Sequence, residues 1–212
     1  MFNRLLILGA SGHGKVVADC AYTAGKWSDV IFFDDRWPKL ISCSIWSVMG
    51  RGNDIFKIAQ SGDQVFVAIG NNTTRLNWLH QFKNAGLTIA TIIHPSTIIN
   101  HGVSIGIGSL VVAGGIVNVD CTIGYGCIVN TGAIVDHDCV LEEGVHICPG
   151  VNLAGNVHVG KRSWVGIGSS VIQCIHIGAD VTVGAGAVVL NHIEDGLTVV
   201  GVPARPIVRR SW

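Results

Sequence analysis

Between Ile93 and Val189 every sixth residue is Ile, Val or Leu, seventeen in succession, among them Ile105, Val111, Val117, Ile123, Val129, Val135 and Leu141. A strand alternates with period two and a helix repeats near 3.6, so neither accounts for a strict six. A chain that turns a corner after each short strand does account for it, because each strand then places one aliphatic residue inside a prism; this is the hexapeptide β-helix pattern. Four residues after each aliphatic lies a second column of small or aliphatic residues, including Ser109, Gly115, Cys121, Cys127, Ala133 and Cys139, with no charge in either column. With three hexads to a triangular coil of eighteen residues, the block makes between five and six coils, and Cys121 stacks on Cys139. Ladders between coils, roughly 4.8 Å apart, satisfy the backbone along the axis. Both ends of such a prism require caps.

The first ninety residues carry a different pattern. Arg4 to Gly9 reads as a buried strand, Ser11 to Gly14 as a turn, and Lys15 to Ala24 as a helix with Val16, Val17, Cys20 and Ala21 on one face, ended by Gly25. Val30 to Phe33 is a second strand closed by Asp34 and Asp35, and Gln64 to Ile69 is another, followed by Gly70-Asn71-Asn72 and a helix over Thr74 to Asn84. Thr88 to Ile93 leads into the prism. Strand, Gly-rich turn and helix in alternation predict a small Rossmann-type parallel sheet. Trp37 to Gln60 is poorly patterned and reads as a variable loop with a short helix. The fold expected is therefore an α/β Rossmann-like domain over residues 1–92, followed by a parallel β-helix of hexapeptide repeats over 93–212 with a C-terminal tail.

Charge excludes two classes of partner. Fourteen basic residues balance fourteen acidic ones, which gives no nucleic-acid surface and no polybasic membrane anchor. No stretch approaches the roughly 18 uninterrupted apolar residues of a membrane span, and Leu5 to Ala10 lacks the flanks of a signal peptide, so a cytoplasmic location is expected. The seven cysteines are odd in number and include no CxxC pair, which indicates neither a disulfide framework nor a zinc knuckle. No metal is expected.

The turn Gly9-Ala-Ser-Gly12-His-Gly14 places its glycines first, fourth and sixth, not first, third and sixth as in the dinucleotide fingerprint, so NAD is not its ligand. A glycine-rich turn at a helix N-terminus still offers N–H groups to phosphate oxygens, with His13 and Lys15 as further donors. Asp34 and Asp35 end the next strand, where a carboxylate reaches a ribose or a base edge.

GASGHGK, FFDD, VAIGNNTTR, the hexapeptide prism, VDHDC, GVHICPGVNLAGNVHVG and the closing GVPARP together resemble the sugar acyltransferases of the sialic-acid O-acetyltransferase and bacillosamine N-acetyltransferase type. The resemblance spans essentially the whole chain. It implies acetyl transfer from acetyl-CoA to the 4-amino group of a nucleotide-linked 4-amino-4,6-dideoxy sugar, UDP-linked in the first instance with dTDP and GDP left open. It also implies that the parallel β-helix is left-handed and that the chains form a homotrimer with acetyl-CoA between neighbouring prisms. The family's catalytic His-Glu pair falls on His137 and Asp138, where the shorter carboxylate is a departure and Asp136 stands as an alternative partner. Imidazole takes the proton of the attacking amine, and a carboxylate fixes its tautomer. The resemblance carries acetyl-CoA contacts over to His146, Gly155, Ile167 and Ala185, the last being Gly in the family pattern. Sugar-nucleotide contacts carry over to Gly12, His13, Gly14, Asp34, Asp35, Gly70 and Asn71. Arg75 reads as a solvated helix charge that a phosphate would also suit. His137 and His146 are nine residues apart, half a coil, which places them on different sides of one prism and predicts a working pair built across a subunit interface.

Three other readings stand beside this one. An O-acetyltransferase acting on sialic acid or another sugar hydroxyl shares most of the architecture. A non-catalytic trimeric scaffold leaves the glycine turn and VDHDC unexplained. A zinc-dependent prism enzyme finds His101 and His137 thirty-six residues apart but lacks a third ligand, with Glu142 five residues beyond His137.

Overall fold

The computed structural model describes residues 2–207, so the last five residues of the expected tail, 208–212, lie outside the described residues. The chain divides into two compact units, Met1–Pro95 and Ser96–Trp212.

In the first unit, β1 (Phe2–Leu8) leads through Gly9 to Ser11 into α1 (Gly12–Ala24), and β2 (Trp27–Phe33) runs parallel to β1 with Leu5 opposite Val30. A short β3 (Ser42–Cys43) and β4 (Trp46–Gly50) follow, then a 3-10 turn at Gly52–Asp54, a one-turn α2 (Ile55–Ile58), β5 (Gln64–Val67) and α3 (Asn72–Asn84). The sheet order is β3-β4-β2-β1-β5, with β3 the one antiparallel member. Leu5, Leu6, Ile7, Phe32, Phe33 and Val65 to Val67 form its buried centre, as continuous apolar runs do in a sheet covered on both faces. Gly25 ends α1 in the left-handed conformation at φ 64°, its N–H donating to Ala21 and Tyr22.

Two details differ from the sequence reading. The glycine turn is shorter than expected, because Gly12 already opens the helix, and the buried face of α1 is Gly14, Val17, Ala18, Cys20 and Ala21, leaving Val16 exposed. The segment read as a variable loop also contains β3 and β4. These strands are short, and β4 is held by pairing with β2 far away in sequence (Phe32 with Val48), a contact that leaves little local periodicity.

The second unit is the prism. Sixteen two-residue strands run from Ile98–Ile99 to Val188–Val189, one per hexad, and each pairs in parallel with the strand eighteen residues away, as Ile116 and Val117 do with Ile134 and Val135. They fall into three sheets, and the second residue of each strand points inward. From Val111 onward the aliphatic column is buried, and the second column is fully buried from Cys121 to Val151. Where that second column carries a donor, the group bonds a corner carbonyl fifteen residues on. Ser109 Oγ donates to Gly124 O (2.8 Å), Cys121 Sγ to Asp136 O (2.8 Å) and Ser163 Oγ to Gly178 O (2.7 Å). Buried hydroxyls and thiols are thereby satisfied without leaving the column.

Each corner contains one left-handed residue, at every sixth position from Gly102 to Gly186. Nine of these are glycine, and the others include Asp120, Asp138, Asn156 and Asp180. Asp and Asn tolerate this region because their short side chains bond locally. At the C-terminal end Thr198–Val200 continues one face in parallel with Thr182–Val183, and Arg205–Pro206 folds back antiparallel on it, which closes the ladder.

Candidate active site

His137 stands at a corner, two residues past the end of the strand Ile134–Val135, with its side chain 54 % exposed. Its Nδ1 lies 2.7 Å from Asp138 Oδ2. An ionised carboxylate only accepts, so Nδ1 carries the proton and Nε2 presents a lone pair. The hydrogen bond to Asp138 raises the His137 pKa above its usual value, with the charge of Asp136 adding to it. Asp136 is therefore not the ring's partner. Its Oδ1 accepts the backbone N–H of His137 (2.9 Å) and the amide of Asn118 (2.7 Å), and Asn118 in turn accepts from Asn100 (2.8 Å), a polar ladder of one residue per coil that holds the corner below the imidazole. Asp138 sits at the left-handed corner position, φ 60°, where a short carboxylate is better tolerated than a longer side chain.

His146 lies on a different sheet, in the strand His146–Ile147, buried with 7 % of its surface exposed and edge-on to Trp164 with ring centroids 6.4 Å apart. Asn130 Nδ2 is 3.2 Å from its Nε2, and Asn130 Oδ1 is already occupied by the Thr131 N–H (2.9 Å). The amide orientation is thus fixed and Nε2 accepts. Asn130 was not singled out from the sequence. Its signal is register, since it follows the strand one coil below His146. Within one chain His137 and His146 belong to different faces of the prism.

Ile167 and Ala185 stack at one corner, both exposed, with Gly186 N–H donating to Ile167 O (2.8 Å). The N–H groups of Ile167 and Ala185 donate to no backbone acceptor among the described residues. Gly155 is buried against the ring of His137, one coil away, and a Cβ there would stand 2.3 Å from His137 Nε2. His101 and His137 share a corner two coils apart, about 9–10 Å along the axis, too far for one metal ion. Among the described residues no group of three or more His, Cys, Asp or Glu is arranged to hold a metal.

In the first unit a cavity of about 260 Å³ opens at the carboxyl ends of β1, β2 and β5, lined by Gly9, Ser11, Asp34, Asp35, Ile69, Gly70 and Trp78 among others. This is where open α/β sheets bind ligands. Gly12 stands exposed at the start of α1, and a Cβ added there would meet nothing within 4 Å. His13 is half-buried, and burial together with the nearby charge of Arg75 lowers its pKa to about 4, so at neutral pH it is an uncharged donor. Gly14 has a packing role, since a Cβ there would meet Gly9 O at 2.2 Å. Asp34 holds the turn. Its Oδ2 accepts the Ala10 N–H (2.9 Å), and its bidentate pair with Arg36, the main cause, keeps its pKa down at about 2. Asp35 is exposed and shared with a wider cleft of about 600 Å³ lined by Arg36, Trp37, Lys39 and Arg51. Asn71 caps α3, accepting from Thr74 N–H (2.9 Å), and Gly70 beside it is exposed.

Arg75 is neither solvated nor open to a phosphate. It is fully buried, donating to Ile69 O (3.0 Å), Gly70 O (3.3 Å) and Asn72 Oδ1 (2.9 Å), and so fastens the β5–α3 turn.

A left-handed β-helix with an Asp-paired histidine at an outer corner, joined to a Rossmann-like unit, defines a hexapeptide-repeat acyltransferase. The profile of the family described as PglD N-terminal domain matches residues 4–82. The acetyltransferase domain of PglB from Neisseria gonorrhoeae FA1090 is 38 % identical with a TM-score of 0.92, covering 96 % of this chain and 99 % of its own, and its complex with acetyl coenzyme A superimposes equally well, at 0.93. PerB from Caulobacter crescentus, solved with CoA and GDP-perosamine, is 35 % identical with a TM-score of 0.87 over 96 % of this chain and 97 % of its own. WeeI from Acinetobacter baumannii AYE is 28 % identical with a TM-score of 0.90 over 97 % of this chain and all of its own. A comparison with curated proteins gives no match. The chain belongs to the hexapeptide-repeat family of acetyl-CoA-dependent nucleotide-amino-sugar N-acetyltransferases.

Proposed function

We propose that this chain acetylates the 4-amino group of a nucleotide-linked 4-amino-4,6-dideoxy sugar, with His137 as general base. The observation that carries the reading is the 2.7 Å contact between His137 Nδ1 and Asp138, which leaves Nε2 as the proton acceptor at an exposed corner. Acetyl-CoA supplies the activated acetyl group. His137 Nε2 takes the proton of the amine as its nitrogen bonds the acetyl carbon, Asp138 stabilises the imidazolium that results, and the proton passes to the CoA sulfur as the C–S bond breaks and the thiol leaves. His146 and the N–H groups of Ile167 and Ala185, which donate to no backbone acceptor among the described residues, hold the thioester and pantetheine arm, and Gly155 lies beside the reacting centre. The sugar nucleotide occupies the crevice of the first unit, with phosphate oxygens at the start of α1 by Gly12 and His13, and the nucleoside towards Asp35, Gly70 and Asn71.

The expected assembly is a homotrimer in which His137 of one chain works with His146 of a neighbour. The expected location is the cytoplasm, and the product is destined for a bacterial surface glycan or glycoprotein. Among the described residues no helix is long and apolar enough to cross a membrane. The test is release of free thiol from acetyl-CoA in the presence of UDP-, dTDP- and GDP-linked 4-amino-4,6-dideoxy sugars, with sialic acid as comparison. Turnover on an amino sugar supports the proposal and identifies the nucleotide. Turnover on sialic acid alone replaces it with O-acetylation, and silence on all acceptors leaves the scaffold reading.

A further inference from the structure

We infer that Gly155 is the positioning residue of the His137 imidazole, its missing side chain being the seat on which the ring lies; this rests on the reading of His137 as the base. The corner column containing His137 reads His101, Val119, His137, Gly155, Gln173, so one member lacks a side chain. The backbone does not demand it. The left-handed residue of that corner is the next one, Asn156 at φ 57°, and Gly155 itself has no positive φ. What demands glycine is the ring. A Cβ on Gly155 would lie 2.3 Å from both Cε1 and Nε2 of His137 and 3.0 Å from Cδ2, and these are the three nearest atoms it would meet.

The remaining freedom of His137 is removed from other directions. Its backbone N–H is held by Asp136, its carbonyl accepts the Asn156 N–H (2.8 Å), and Asp138 holds Nδ1. With the backbone fixed on both sides, the ring moves only by side-chain rotation. An added methyl at 155 leaves it no option but to rotate away, breaking the bond to Asp138 and carrying Nε2 off its line. Buried contact with the ring also explains why Gly155 is concealed while His137 is exposed. Gly155 is thus a steric determinant of the base, beyond any backbone contact it makes to acetyl-CoA.

The experiment is a double-mutant cycle of Gly155→Ala and His137→Ala on the full chain. Gly155→Ala is expected to lower kcat by about 10²-fold, as misplacement of a reacting group by about an ångström does. Its acetyl-CoA Kd, measured by calorimetry, should stay within about twofold, and it should cause no further loss in the His137→Ala chain, where the obstructing atoms are gone. An equal loss in both backgrounds, or an effect confined to the acetyl-CoA Kd, overturns the seat. NMR titration of the His137 ring reads the same geometry without turnover. A lowered pKa in Gly155→Ala supports the seat, and an unchanged one overturns it. If His137→Ala alone retains turnover, the base assignment fails while the ring titration still decides the role of Gly155.

Discussion

His137 and Asp138 are neighbours in sequence, yet the bond between them exists because a corner residue in the left-handed conformation turns the carboxylate back along the chain. A base must be neutral to accept a proton, so the acid limb of kcat/KM should lie above the ordinary histidine pKa of about 6.5. His137→Ala should lower turnover by about 10²–10⁴-fold with acetyl-CoA affinity retained. Asp138→Asn removes the main cause of the raised pKa, and the acid limb of its pH–rate profile should move to lower pH while the plateau falls. A limb that stays in place would dissociate it from His137. His13 has the opposite sign. Its folded pKa of about 4 lies below the unfolded value, so the unfolded chain binds a proton first as pH falls, and stability should decline between about pH 6.5 and 4 and remain level above that range. The total is of order 3 kcal/mol, and melting curves of His13→Gln should show a flatter acid slope through this window.

Among the elements, the turn from β1 into α1 separates residues that the sequence presents as equivalent. Gly14 is glycine for packing under Gly9, whereas a Cβ at Gly12 would meet nothing within 4 Å and its φ is ordinary. Gly12→Val should therefore fold and melt much like the parent while raising the KM for the sugar nucleotide; a lower melting temperature with unchanged KM would make the turn purely structural. The β5–α3 turn gives the contrasting case. Arg75→Leu leaves the Ile69 and Gly70 carbonyls without their buried donor and should cost about 2–4 kcal/mol, at about 1–3 kcal/mol for each unsatisfied acceptor, read by chemical denaturation. β3 and β4 show what one-dimensional patterning cannot carry: β4 exists because β2 supplies a parallel edge, and the cleft lined by Trp37, Lys39 and Arg51 follows from that pairing.

For the molecule as a whole, His137 and His146 lie on different faces, so a working pair of the two requires the proposed trimer. Chains carrying His137→Ala mixed with chains carrying His146→Ala should regain activity in hybrid trimers, because some interfaces then receive one intact histidine from each side. Absence of recovery in hybrids verified by mass spectrometry would place both residues in a single chain's site.

The prism was legible in the sequence because its core is a local repeat. A period of six and an uncharged second column each leave a mark that needs no distant contact, and the strand–turn–helix alternation of the first unit is local in the same way. The candidate residues at VDHDC and the glycine turn were legible through resemblance of short motifs. Tertiary structure alone decided which carboxylate serves His137, why residue 155 carries no side chain, that Asn130 meets His146, and that Arg75 is buried. Each of these depends on which atoms lie one coil or one strand away, a relation set by stacking and non-local pairing, to which the spacing of residues along the chain contributes register but not contact.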